Sequence, residues 1–318
     1  MQRWSFSAAV GNFRGLWIAL LVFAGVGAAL AHAEPKLIEE RNSTYNNIYV
    51  YKDGPLMIMN FGHNKRFYTE TIYDTTNELA LPVTYTRFMT VGLAYASGLT
   101  NLLEIGFGGG RTAWYLHKHV PSLEITAVEL DPAVVELAKK HFGVRSEERF
   151  KITVSDGRSY MLKSKDTWNV IMIDAYRGPF VPFHLLTEEF FKVVKSKLKP
   201  GGVVVQNVEP MTMMFDSAIA TIQKVFPNVE IYEAGGNVVA VAYEGPRQTP
   251  AQLAARAAAL QKEHRFAYPL PALLAERRVV NRTVPAKVLS DDFAPVESLL
   301  AIEKHNRKLD EISEPAAK

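Results

Sequence analysis

The residues best suited to chemistry lie in four short stretches spread over 74 positions, from Asn101 to Asp174. Asn101–Gly110 (NLLEIGFGGG) is an apolar strand ending in a burst of glycines. Gly106, Gly108 and Gly110 suit a turn in which backbone N–H groups approach an anionic or polyhydroxyl ligand, because glycine tolerates positive φ and leaves no side chain in the way. About twenty residues on, a second apolar strand ends at Glu129, where a carboxylate accepts hydrogen bonds from a ribose diol. A third strand ends at Ser155-Asp156-Gly157, and a fourth, Val170-Ile171-Met172-Ile173, at Asp174. A carboxylate emerging there can orient or deprotonate an amine or hydroxyl, or bind a cation. A tight βα turn alone would also explain the glycines, and capping of the next loop would explain Asp174. The acidic residues at matching strand ends favour a nucleoside site.

These groups meet only if the strands lie side by side, and from Asn101 the chain alternates strand and helix as a parallel sheet requires. Strands are predicted at 102–105, 124–130, 150–154, 169–173 and 203–207, with helices at 112–119, 133–141 and 182–198 and a turn at Pro200-Gly201-Gly202. Asp131-Pro132 is a good N-cap followed by a good first helical residue. Strands near 229–232 and 238–243 would close the sheet as an antiparallel pair. The fold class is therefore α/β, a Rossmann-like sheet of the class I methyltransferase type.

Ahead of it, Lys36–Phe67 reads as an antiparallel β unit, with Tyr45–Tyr51 and Leu56–Met59 as strands about the turn Lys52-Asp53-Gly54-Pro55. The expected organisation is a small β lobe over 36–78, a nucleoside-binding domain over 79–245 and a helical extension over 246–318. Leu79–Gly98 carries apolar residues at helical spacing, with Pro82 at the first turn. Tyr85 on that helix either faces the site or packs a face. After Asp174, Ala175–His184 is rich in aromatics and prolines and suits a lid. His184 is either a general base or a first-turn histidine packed beneath that lid. His117 and His119, near the end of a helix, read as solvated, so no metal is expected. No Gly-x-Ser-x-Gly elbow supports serine chemistry. Asp291-Asp292 either caps a terminal helix or belongs to a segment folded back on the cleft.

The chain has 318 residues and a net charge of +3. Two of the 36 basic residues, Arg3 and Arg14, fall near the N-terminus, leaving 34 against 33 acidic, so no nucleic-acid-binding face is expected. Met1–Ala33 reads as a targeting segment: a basic start, the apolar run Leu16–Leu30, and Ala31-His32-Ala33 before Glu34. The run is shorter than the roughly 20 residues that span a bilayer. A cleaved signal predicts export to the periplasm or medium; an uncleaved one would be the chain's sole membrane contact. The absence of cysteine removes disulfide, thiolate and Cys-zinc chemistry.

Residues about 36–245 resemble the spermidine synthase (polyamine aminopropyltransferase) family, a branch of the class I S-adenosylmethionine-dependent transferase fold. The resemblance runs through Tyr45-Asn46-Asn47-Ile48, Tyr85, Gly106–Gly110, Val128-Glu129-Leu130-Asp131-Pro132, Asp156-Gly157 and Asp174. It is closest to spermidine synthase-like proteins with runs similar to Pro182–Phe191 and Asp291–Glu297. It implies that Glu129 binds the ribose, that Asp156-Gly157 lie by the adenine, and that Tyr45, Asn46 and Arg177 occupy substrate-binding positions. It also implies that Asp174 deprotonates an attacking amine, as an aminopropyl group leaves decarboxylated S-adenosylmethionine. Three positions depart from the pattern. Gly109 replaces an aspartate that helps hold the aminopropyl ammonium, Arg177 replaces a second aspartate, and Asn46 replaces a glutamine. An arginine can clamp a carboxylate, which would suit unmodified S-adenosylmethionine or an anionic acceptor. Three readings follow: aminopropyl transfer to an amine, methyl transfer from S-adenosylmethionine, and nucleoside binding without catalysis. The expected partner is a small-molecule amine, and a homodimer is compatible with the chain.

Overall fold

The computed structural model describes residues 34–63, 66–178, 180–212, 214–279 and 286–293. The leader, the chain from 294 to its end and the middle of the Val279–Ser290 connection lie outside these residues, and with them the expected terminal helix. The described residues from Pro35 onward form one compact unit.

The β lobe is a four-stranded antiparallel meander, β1 (Lys36–Asn42), β2 (Asn47–Asp53), β3 (Leu56–His63) and β4 (Arg66–Asp74). Ile48, Val50, Met57, Met59 and Phe61 alternate onto one face and pack on Val134, Leu137 and Phe142. Helix α1 (Thr84–Met89) leads through a 3₁₀ turn (Thr90–Ala94) into β5 (Asn101–Ile105). The single helix expected over 79–98 is thus shorter and later. Pro82 precedes it, and the Thr86 and Thr90 hydroxyls bond carbonyls three residues back, a local competition that tightens helices.

There follow α2 (Arg111–His119), β6 (Glu124–Glu129), α3 (Pro132–His141), β7 (Phe150–Val154), α4 (Gly157–Lys163) and β8 (Trp168–Ile173). A 3₁₀ turn at Phe183–Leu185 leads to α5 (Glu188–Ser196), β9 (Leu198–Val208), α6 (Phe215–Val225), β10 (Asn228–Ala234), β11 (Asn237–Tyr243), α7 (Pro250–His264), α8 (Leu270–Ala275) and β12 (Arg277–Val279). The helix expected from Pro182 begins only at Glu188, because the Thr187 side chain accepts from Phe190 N and caps it. Pro200-Gly201-Gly202 forms no separate turn. It lies within β9, with Gly201 at φ +71° and a register irregularity against β8.

The large sheet has the order β12-β10-β11-β9-β8-β5-β6-β7, parallel from β9 to β7 and antiparallel beyond. β5 is central, and the chain winds outward from it in both directions. The cleft at the carboxyl ends of β5, β6 and β8 is therefore a topological switch point.

The C-terminal extension includes a sheet strand, β12, and shares the main core through Leu253, Phe266, Tyr268 and Leu270. The solvated reading of His117 and His119 is overturned, that of His119 by this extension and that of His117 by Trp114, Glu147 and Phe150. Tyr115 stacks on Tyr268 and its hydroxyl accepts from Ala267 N at 2.7 Å. His119 packs on Tyr115 with Nδ1 at 3.0 Å from the His264 carbonyl oxygen. His117 is 3% exposed, with Nε2 at 2.8 Å from Glu147. Helical periodicity within α2 cannot reveal a cover that arrives some 140 residues later.

Candidate active site

Four strand tips close in register. Asp174 N donates to Ile105 O at 2.8 Å, Gly106 N to Val128 O at 2.9 Å and Ser155 N to Glu129 O at 2.9 Å. These bonds set the ends of β8, β5, β6 and β7 side by side. The glycine loop then rises between them: Gly106, Gly108 and Gly110 have φ of +88°, +52° and +70°. Gly106 has no room for a side chain, since a Cβ there would lie 2.3 Å from the Asp174 carbonyl oxygen. Gly110 caps α2.

A cavity of about 390 Å³ opens over these tips, lined by the loop, the lid and β4. Every residue expected at the site borders it except Gly110, whose place is the start of α2 behind the loop. Glu129 Oε2 accepts from Phe107 N at 2.9 Å and Gly108 N at 3.2 Å, and Oε1 from Asp131 N at 3.0 Å. This carboxylate thus braces the glycine loop. Burial raises its pKa and the backbone N–H bonds oppose that shift.

Asp156 caps α4 through Ser159 N at 2.7 Å, and its second oxygen lies 2.8 Å from His184 Nε2. Burial alone would raise Asp156, but the Ser159 N–H and His184 together hold it below its ordinary value. His184 therefore sits on the nucleoside side of the cavity, paired with a carboxylate and not with Asp174. Behind it, Arg158 donates to the His184 carbonyl oxygen and to Asp291, which also accepts from Thr187. The 286–293 segment so folds back onto the rear of the lid, with Leu289 buried in the core beneath.

Asp174 Oδ1 accepts from Asn207 Nδ2 at 2.8 Å, and Tyr85 bonds the same carboxylate. Burial pushes Asp174 up to about 6 against the pull of those two donors, and burial likewise raises the Tyr85 phenol. Tyr85 faces the site. Of the substrate-binding positions, Asn46 borders the cavity but its amide is engaged with Asp131 Oδ2 at 3.1 Å. Tyr45 is exposed at the mouth. Arg177 is exposed on the rim, where the lid turns at Gly178 and Phe180 meets His63 of the lobe edge-on.

Two acidic residues escaped the sequence reading. Glu104 interrupts the apolar run of β5 and is 3% exposed, and Glu70 reaches the cavity from β4. A lone charge inside an otherwise apolar buried strand was the available signal for Glu104. For Glu70 there was none, because β4 extends well past the β unit recognised in the sequence. The neighbouring Thr71 explains Gly109: its hydroxyl accepts from Gly109 N at 2.9 Å, and a Cβ at 109 would lie 2.4 Å from its methyl group.

Comparison with known proteins agrees with this geometry. Residues 84–235 match the model of the spermine/spermidine synthase domain. The polyamine aminopropyltransferase of Vibrio vulnificus is 27% identical over 275 residues, covering 83% of this chain and 91% of that protein. A spermidine synthase solved in complex with the transition-state analogue AdoDATO superposes with a TM-score of 0.62 at 24% identity, over 77% of this chain and 85% of that one. Human methyltransferase-like protein 13, solved with SAH, gives a TM-score of 0.54 at 27% identity, over 58% of this chain and 94% of that one. With its antiparallel lobe and switch-point cleft, the chain has the class I S-adenosylmethionine-dependent fold, and its residues 84–235 are similar to the spermine/spermidine synthase domain.

Proposed function

We propose that the protein is a spermidine synthase-like transferase that moves an aminopropyl group from decarboxylated S-adenosylmethionine to an amine. The observation that carries this reading is Asp174, a half-buried carboxylate with a pKa of about 6, held by Asn207 and Tyr85 beside a nucleoside-sized cleft. Such a group is unprotonated at neutral pH yet basic enough to take a proton. The donor's adenosyl end lies along Gly106–Gly108, with its ribose at Glu129 and its adenine at Asp156 and Gly157. The acceptor nitrogen attacks the arm's methylene carbon on sulfur, so a C–N bond forms as the C–S bond breaks. The electron pair of that bond neutralises the sulfonium, methylthioadenosine leaves, and Asp174 accepts the nitrogen's proton. His184 positions Asp156 and shields the adenine.

A second reading, methyl transfer from S-adenosylmethionine, draws on the likeness to methyltransferase-like protein 13 and on Arg177, a rim cation that could meet the donor's α-carboxylate. Incubation with each donor and a diamine, followed by chromatography of the nucleoside product, separates the two. Methylthioadenosine supports aminopropyl transfer, and S-adenosylhomocysteine the alternative. Export is proposed as well, on the Met1–Ala33 pattern; N-terminal sequencing of the native protein tests it.

A further inference from the structure

Beyond the lid lies a second cavity of about 500 Å³, bounded by the lid, the end of β9, the start of α6 and His63 of the lobe. Arg177 and Pro182 border both this cavity and the one over the strand tips, so the two meet at the lid. Much of its wall is apolar, with Phe180, Phe183, Leu186, Val208 and Met214, and two side chains of opposite charge enter it, Arg177 and Glu209. They are not paired with each other. The Arg177 backbone is fixed in the lid's turn, donating to Phe180 O at 2.8 Å, but its guanidinium has no hydrogen-bond or ion-pair partner among the described residues. Glu209 accepts from Met211 N at 3.1 Å and pairs with no cation among them. Burial raises the Glu209 pKa against that N–H bond, a shift that a cationic ligand would reverse.

Both charges stand close to the candidate base. Asp174 accepts from Asn207, and Glu209 follows two residues after Asn207, just past the end of β9. Arg177 follows Asp174 by three residues. Between them in the chain, the Tyr176 phenol is raised by burial and then by the charges of Asp174 and Glu209, so it lies within electrostatic reach of both. Elsewhere the cleft offers an anion little. Glu70, Glu104 and Glu129 border it, His184 is engaged with Asp156, and the buried cation Arg111 is turned onto the carbonyls of Phe142 and Glu78. A carboxylate entering near Asp174 therefore has its place at Arg177.

We propose that the acceptor is an α,ω-diamino acid, whose side-chain amine meets Asp174 while its α-ammonium and α-carboxylate are held by Glu209 and Arg177. This rests on the aminopropyl-transfer reading above. A zwitterionic head carries its two charges on one carbon, and so matches two opposite side chains that line one cavity with no ion pair between them. A plain diamine would leave Arg177 unmatched. The ω-nitrogen attacks the donor arm's methylene carbon on sulfur. The C–N bond forms as the C–S bond breaks, the electron pair of that bond passes to sulfur, and the nitrogen's proton goes to Asp174. The carboxylate is carried unchanged into the product.

The test compares acceptors that differ in the carboxylate alone, L-ornithine and putrescine, with decarboxylated S-adenosylmethionine as donor and methylthioadenosine release as the readout. The full-length wild type should show the higher kcat/KM with ornithine, and the product's mass should be that of ornithine plus one aminopropyl group. Arg177→Gln should lower kcat/KM for ornithine by about tenfold, the loss of one charge-assisted contact, and leave putrescine within about twofold. Glu209→Gln should weaken both acceptors, since each brings a second ammonium. Calorimetry should find methylthioadenosine affinity within about twofold of wild type in both variants. Preference for putrescine in wild type, or an Arg177→Gln effect that is equal for the two amines, would overturn the proposal and leave aminopropyl transfer standing. So would loss of S-adenosylhomocysteine binding in Arg177→Gln with ornithine turnover intact, which would assign the guanidinium to the donor. Methylthioadenosine released with neither amine would also overturn it. If wild type failed to bind methylthioadenosine at all, the functional reading would fall and this proposal with it.

Discussion

Gly106 and Asp174 touch through their backbones: a Cβ on Gly106 would come within 2.3 Å of the Asp174 carbonyl oxygen and 2.6 Å of the Ala175 Cα. The turn that opens the nucleoside loop and the strand tip that carries the candidate base are thus one packed unit. Any group added at 106 displaces the carboxylate as well as the loop.

Gly106→Ala should therefore lose both stability and turnover. The positive φ alone costs an L-residue about 1–2 kcal/mol, and the clash adds to it. Thermal denaturation and a steady-state assay check this; a variant with unchanged melting and full activity would separate the loop from Asp174.

Asp174→Asn should abolish turnover and leave methylthioadenosine affinity within a few-fold. The wild-type kcat/KM should fall as pH drops through about 6, because the base becomes protonated there. Linkage runs in the same direction. With its folded pKa raised above 3.8, this group's contribution to stability is full below that value and lost as pH rises through about 6. At pH 8 the asparagine variant should melt no lower than wild type. Retained turnover, or a pH profile flat between 5 and 8, would dismiss Asp174 as the base.

Glu129→Ala should show two separable losses. Methylthioadenosine binding should weaken by about 1–3 kcal/mol through the missing diol contact, and the loop should be destabilised by a similar amount because Phe107, Gly108 and Asp131 lose a common acceptor. Calorimetry and melting on the same preparation distinguish them. A ligand affinity that stays constant would take Glu129 out of the ribose site and leave it the loop brace alone.

Gly109→Asp, which restores the family's aspartate, should destabilise the protein, because the Thr71 side chain occupies that space. Thr71→Ala with Gly109→Asp should recover part of the loss, giving a positive coupling in a double-mutant cycle. Additive effects of the two changes would show that Thr71 is not what excludes a side chain at 109.

The chain's own order of residues announced much of the fold. Alternating apolar runs marked β5–β9, Asp131-Pro132 opened α3 where it was expected, and Gly106, Glu129, Asp156 and Asp174 stood at four successive strand ends. Parallel strands broadcast such tips because each ends at the same rim, so a local pattern suffices to bring them together. What depended on distant partners was not written locally. His119 became half-buried because His264 and Phe266 of the C-terminal extension pack on it. Helix α5 waited for Thr187, and Asp291 found Arg158 across 133 positions of chain. The charge balance of the cleft belonged to this second kind. Position 109 and position 177 suggested a site stripped of acid, yet pleating and a strand from the β lobe brought Glu104 and Glu70 into it. Residue spacing determines which groups end a strand; only packing decides which side chains face one another across a cavity, because that depends on contacts between segments far apart in the chain.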